Sequence, residues 1–301
     1  MKKILLMAAV MLCIGTAYAA ADDVDAVLTD PATVSLQTHT REMIRAGINE
    51  DTSLRMTRAM QTQRIREENI IQAQKIIMQA QKAGLPTEPV MTKAFEGMTK
   101  QANTRQILQA METVRSRYEF AYGQANMLMS DQNRTQRLGD QIADCLAAGM
   151  KKTDIEAIRS CVQQRTRNAV ASESNQLTNQ TFQAVRTLSR LGVCSETTTR
   201  AVSQALDKGF SAQEMVQMRR AFTVQAKHQH PEQLGKKFAE DITAGRQANH
   251  LGKASHSACS TGGGNNGGGS NDGGGADGND GGGGNGSGGN GGGGGNGGGR
   301  N

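Results

Sequence analysis

The chain has 301 residues, with 34 Lys and Arg against 28 Asp and Glu and a formal charge of +6. Aromatic residues make up only 3% and Trp is absent, so there is little to stack on bases, and nucleic acid is not the expected partner. Charges of both signs alternate along the chain, as in Arg64-Ile65-Arg66-Glu67-Glu68, a pattern that marks solvated helix faces. The high isoelectric point, near 9.2, suits an anionic partner such as a membrane surface or polyanion.

Residues 1–19 read as a cleavable export signal. Lys2 and Lys3 are its positive start, Ile4 to Ile14 its short apolar run, and Ala17-Tyr18-Ala19 its small-x-small cleavage pattern. About eleven apolar residues are too few to cross a bilayer, which needs roughly twenty. A mature chain starting at Ala20, in the periplasm or secreted, is therefore expected, and loss of Lys2 and Lys3 lowers its formal charge to +4. Residues 20–38, with Asp22, Asp23 and Asp25, read as a mobile N-terminal segment.

The body is expected to be all-α. Glycines that follow an amphipathic stretch and precede an apolar residue read as helix stops: Gly47, Gly97, Gly149 and Gly209, each beside Ile48, Met98, Met150 or Phe210. A Gly just past a helix takes positive φ, and its apolar neighbour packs back on the last turn. Restarts are marked by Ser211-Ala212-Gln213-Glu214 and Thr153-Asp154-Ile155-Glu156, both capping-box patterns, and by the weaker Asn103-Thr104-Arg105-Gln106. Gly84-Leu85-Pro86-Thr87-Glu88 and Gly192-Val193-Cys194-Ser195-Glu196 form a second type of break. Their spacing predicts an elongated array of helical hairpins, made by tandem duplication of about 105 residues. Copy 1 covers 39–133 and copy 2 covers 134–254, with a partial third copy opening near Ala239 to Gly245.

Between the copies, Ile107, Met111, Val114, Tyr118, Ala121, Ala125 and Leu128 recur at steps of three and four, which predicts one helix with a packed apolar seam. Residues 154–190 lack Pro and Gly and could form one long helix, with a bend or break in the polar middle between Arg165 and Gln180. Residues 255–301 are mostly Gly and Asn and read as a disordered tail. They carry no large apolar residue after Gly278-Asn279-Asp280 and no nonapeptide period, so a calcium-binding β-roll is not expected.

After signal removal four cysteines remain, an even count in an oxidising compartment. Cys145 and Cys161 flank the Gly149 turn and would face each other in an antiparallel hairpin, so they are the expected disulfide. Cys194 and Cys259 pair by elimination. His228, His230, His256 and Cys259 are ligand types that suit Zn or Cu, but their spacing matches no standard site, and exposed histidines at a helix end are the expected reading. No nucleophile elbow, phosphate loop or zinc-protease motif occurs in the sequence. The sequence thus points to an exported, non-enzymatic helical protein without a cofactor or transmembrane segment, which binds a protein partner or itself through helical surfaces. Metal binding by the late His and Cys residues is the alternative, and an enzyme site assembled across hairpins is the second.

Overall fold

The computed structural model describes residues 34–252, and the expectations for residues 1–33 and 253–301 lie outside them. Of the segment expected to be mobile over 20–38, residues 34–38 are instead helical, held by the buried Leu36. The described residues hold eleven α-helices, one 3₁₀ turn and no strand, so the protein is all-α. The first half contains α1 (Val34–Arg45), α2 (Glu50–Thr62), α3 (Glu67–Lys82), α4 (Glu88–Thr99) and α5 (Thr104–Asn126). The second half contains α6 (Gln132–Ala147), α7 (Lys152–Thr166), α8 (Ala171–Arg190), α9 (Ser195–Asp207), α10 (Ala212–Gln225) and α11 (Pro231–Thr243), followed by the 3₁₀ turn Ala248–His250. Among the described residues no helix is long and apolar enough to cross a membrane.

Most helices end in one way. At Gly47, Gly84, Gly149, Gly192, Gly209 and Gly245 φ is positive, between 67° and 100°. At Gly47 the turn is closed by two backbone bonds, from Gly47 N to Ile44 O and from Ile48 N to Met43 O. This doubly bonded stop satisfies carbonyls that a helix end leaves open. The residue after the glycine then enters the core: Ile48, Leu85, Met150, Val193 and Phe210 are all buried.

Gly97 is a correction. It lies inside α4, and the chain turns four residues later at Gln101, where φ is 53°. Gly97 serves packing instead, because a Cβ there would lie 2.7 Å from Cγ1 of Ile107 on α5. Gly139 and Gly235 do the same for the Tyr122 ring and the Val193 side chain. The capping boxes also divide. Ser211 with Glu214, and Asn103 with Gln106, form complete reciprocal boxes, whereas α7 starts at Lys152 and leaves Thr153 inside its first turn.

Most helices pack on their next-but-one neighbours, while α5 also packs closely on its chain neighbours α4 and α6. α1, α3 and α5 form one layer backed by α2 and α4; α6, α8 and α10 form another, backed by α7, α9 and α11. Bonds between helices two apart carry this register. Gln74 Nε2 donates to Thr40 Oγ1 and Gln81 Nε2 to Ala46 O, across 34 and 35 residues, so α1 and α3 run parallel. On the other side of the layer, Gln63 Nε2 caps Met98 O. The recurring unit is therefore a helix pair: Gly47 and Gly84 are 37 residues apart, as are Arg64 and Gln101. A duplication of about 105 residues does not emerge from the packing. One of the spacings that suggested it, Gly84 to Gly192, is close to three such pairs.

The predicted seam helix is α5, and its stripe is buried from Ile107 through Ala125, with Tyr118 half-buried and Leu128 just beyond the helix end. Its N-terminal half belongs to a core built from α1–α5, and its C-terminal half to a second core reaching Leu251. Tyr118 packs against both cores. The predicted 154–190 span breaks after Thr166, and α8 restarts at Ala171.

Two glycines in neighbouring helices give opposite expectations. Gly97→Ala is expected to destabilise by about 1–3 kcal/mol through overpacking on Ile107. Gly123→Ala on α5 meets nothing within 4 Å and is expected to stabilise by about 0.5–1 kcal/mol. Urea midpoints of the two variants check this, and a shift of the same sign for both would sink the packing argument.

Candidate functional site

The expected disulfide is a second correction. Cys145 and Cys161 are free thiols, because α6 and α7 follow each other in sequence without packing on each other as a facing hairpin. Cys145 lies on α6 with its Sγ 3.9 Å from Phe182 O of α8, and burial pushes its thiol up to about 12. Cys161 on α7 instead faces α9, its Sγ 3.6 Å from Ser203 Oγ. Cys194 caps the start of α9 as an exposed free thiol, and its expected partner Cys259 lies outside the described residues. Its backbone N–H and the Thr197 hydroxyl both donate to the Glu232 carboxylate of α11, at 2.8 and 2.7 Å. Burial raises the Glu232 pKa, but these bonds outweigh it and hold the carboxyl below its usual range.

The late histidines are not drawn together. His228 and His230 are exposed between α10 and α11, with His230 as the cap residue of α11, and His256 lies outside the described residues. Among the described residues no group of three His, Cys, Asp or Glu side chains is arranged to hold a metal ion.

A different site stands out, and the sequence reading missed it. A cleft of about 1010 Å³ opens between the helices α3 and α5. Both helices begin at it: its lining runs from Arg64 and Arg66 into α3, and from Asn103 to Arg105 into α5. Ile76 and Leu108, both nearly buried, form an apolar floor. The walls are amides (Asn69, Gln72, Gln79 and Gln109), and four cations surround them (Arg64, Arg66, Lys75 and Arg105). All four cations are exposed, and among the described residues only Arg66 of these has a carboxylate within ion-pair distance, Glu68 at 4.0 Å. The one acid of the lining, Glu112, is already held by Arg115, whose Nε and Nη2 donate to it at 2.6–3.1 Å. Arg115 also reaches Glu119.

The cleft has a second peculiarity. Eight helices end at a left-handed stop; six stops are glycine, and the exceptions are Arg64 (φ 56°) and Gln101 (φ 53°). These two stops lead directly into α3 and α5, the walls of the cleft. A side chain in this conformation costs about 1 kcal/mol relative to glycine. Strain of this kind concentrates where function holds it in place.

No family model, no curated protein and no solved structure matches the chain. The functional reading therefore rests on the cleft's own chemistry: a groove too polar for an apolar small molecule, with cations at its rim and paired donors and acceptors along its walls.

Two measurements test this account. Iodoacetamide applied to the folded chain without reductant is expected to modify Cys194 and spare Cys145 until denaturant is added. A Cys145–Cys161 peptide in a non-reduced digest would overturn the assignment. Arg64→Gly is expected to raise stability by about 1 kcal/mol, read as a higher urea midpoint. An unchanged or lower midpoint would show that Arg64 carries no strain.

Proposed function

We propose that the chain is an exported, non-enzymatic interaction protein whose α3–α5 cleft holds an extended acidic segment of a protein partner. The observation that carries this reading is the set of cations around the cleft whose charge no carboxylate of the lining answers. Opposite charge steers a partner to the cleft and fixes its register. The amides favour a peptide over a simple polyanion, because each offers both a donor and an acceptor to backbone N–H and C=O groups. The strained stop at Arg64 supports the same reading, since an arginine kept where glycine is easier has a use for its charge. Export rests on the pattern at Met1 to Ala19, and a partner in the periplasm or outside the cell follows from it.

Fluorescence anisotropy with a labelled decapeptide rich in Asp and Glu, beside its Asn and Gln counterpart, tests this proposal. The acidic peptide is expected to bind and the neutral one not, with affinity falling as salt rises. Lys75→Gln with Arg105→Gln is expected to weaken binding about tenfold at low salt, roughly 0.7 kcal/mol for each charge. Equal affinity for the two peptides would overturn the reading.

A further inference from the structure

The segment of this chain just ahead of α1 has the chemistry the cleft calls for. Residues 20–33 contain Asp22, Asp23, Asp25 and Asp30 and no Lys, Arg or His. Elsewhere in the body acids and bases alternate, so fourteen residues with four acids and no base stand apart.

The fold sets where this segment is tethered. α1 and α3 run parallel in register, with Thr40 beside Gln74 and Ala46 beside Gln81. Val34, the first residue of α1, is therefore level with the first turn of α3, where Asn69 lines the cleft. Neighbouring helix axes lie about 8–10 Å apart. An extended chain covers about 3.3–3.6 Å per residue, so Asp30 can stand some 13 Å from Val34 and Asp22 about 40 Å. Both distances reach past α3 to the cationic rim. A segment tied this close acts at an effective concentration of order millimolar.

Resting on the reading of the cleft as an acidic-peptide site, we infer that the chain's own residues 22–30 occupy it and compete with the partner. Asp22, Asp23, Asp25 and Asp30 supply the carboxylates that Arg64, Lys75 and Arg105 lack among the residues of the cleft lining. The partner then binds by displacing an internal ligand, so its apparent affinity is lowered by the fraction of chains in which the cleft is already filled. Discrimination follows from this, because a weakly acidic peptide does not outcompete the tethered one.

The test uses the full chain and a fluorescein-labelled peptide of residues 20–33, followed by anisotropy at low salt. The chain carrying Asp22→Asn, Asp23→Asn, Asp25→Asn and Asp30→Asn is expected to bind the peptide at least about tenfold more tightly than the unaltered chain. Adding Lys75→Gln and Arg105→Gln to that variant is expected to remove the gain. Measurable and equal binding by the two chains would overturn the internal ligand and leave the cleft reading standing. Absence of binding by every chain, with the decapeptide also failing to bind, would overturn both. A gain on deleting residues 255–301, with none from the Asp→Asn changes, would assign the occupancy to Asp272, Asp277 and Asp280 of the tail and overturn the N-terminal assignment.

Discussion

Most of the helix-to-helix reversals in the described residues are made in one residue. A helix that ends with positive φ and two backbone bonds satisfies its own last carbonyls and sends the next side chain back into the core. Ile48, Leu85, Met150, Val193 and Phe210 all follow this rule. Helices begin only a few residues after each stop, and axes two helices apart are brought side by side. The bonds from Gln81 to Ala46 O and from Gln63 to Met98 O then tie the end of one helix to a polar side chain of another.

Packing between the layers uses the opposite property of glycine. Gly97, Gly139 and Gly235 sit inside helices, where glycine is costly, because Ile107, Tyr122 and Val193 occupy the space of the missing Cβ. At Gly139 the Tyr122 ring lies against α6 and its hydroxyl donates to Asp140 Oδ1 at 3.0 Å. Burial and this bond both raise the phenol pKa, and burial also raises that of Asp140. In the first core, Gln74 is buried and donates to both Thr40 and Thr57, while its Oε1 finds no partner. Such a polar contact fixes which helices meet more than it adds stability.

The parts of this fold that were legible in the sequence are those encoded by neighbours along the chain. The stop at Gly47 announces itself through Ile48, the start of α5 through Asn103 and Gln106, and the stripe from Ile107 to Ala125 through its period. Gly97 misled because a glycine that makes room for another helix has the same local surroundings as one that ends its own. The Cys145–Cys161 pairing failed for a related reason: adjacency in sequence implied adjacency in space, whereas α6 packs on α5 and α8, and α7 on α9. The cleft was hidden more deeply, since Arg64, Lys75 and Arg105 come together only once the offset between α3 and α5 is known. Its one local trace was a helix stop without glycine, repeated 37 residues later at Gln101.

α5 is one unbroken helix of 23 residues, and its two halves belong to different cores. In a stack of repeats, local opening normally spreads only as far as the weakest interface. Here that interface is crossed by a continuous rod, with Tyr118 wedged at the crossing. A load applied to the first core is therefore transmitted along the helix axis to the second, and fraying from either end must halt at α5 or undo both. The same helix lends its first two turns to the cleft wall. Whatever settles there also braces the half of the protein it never touches.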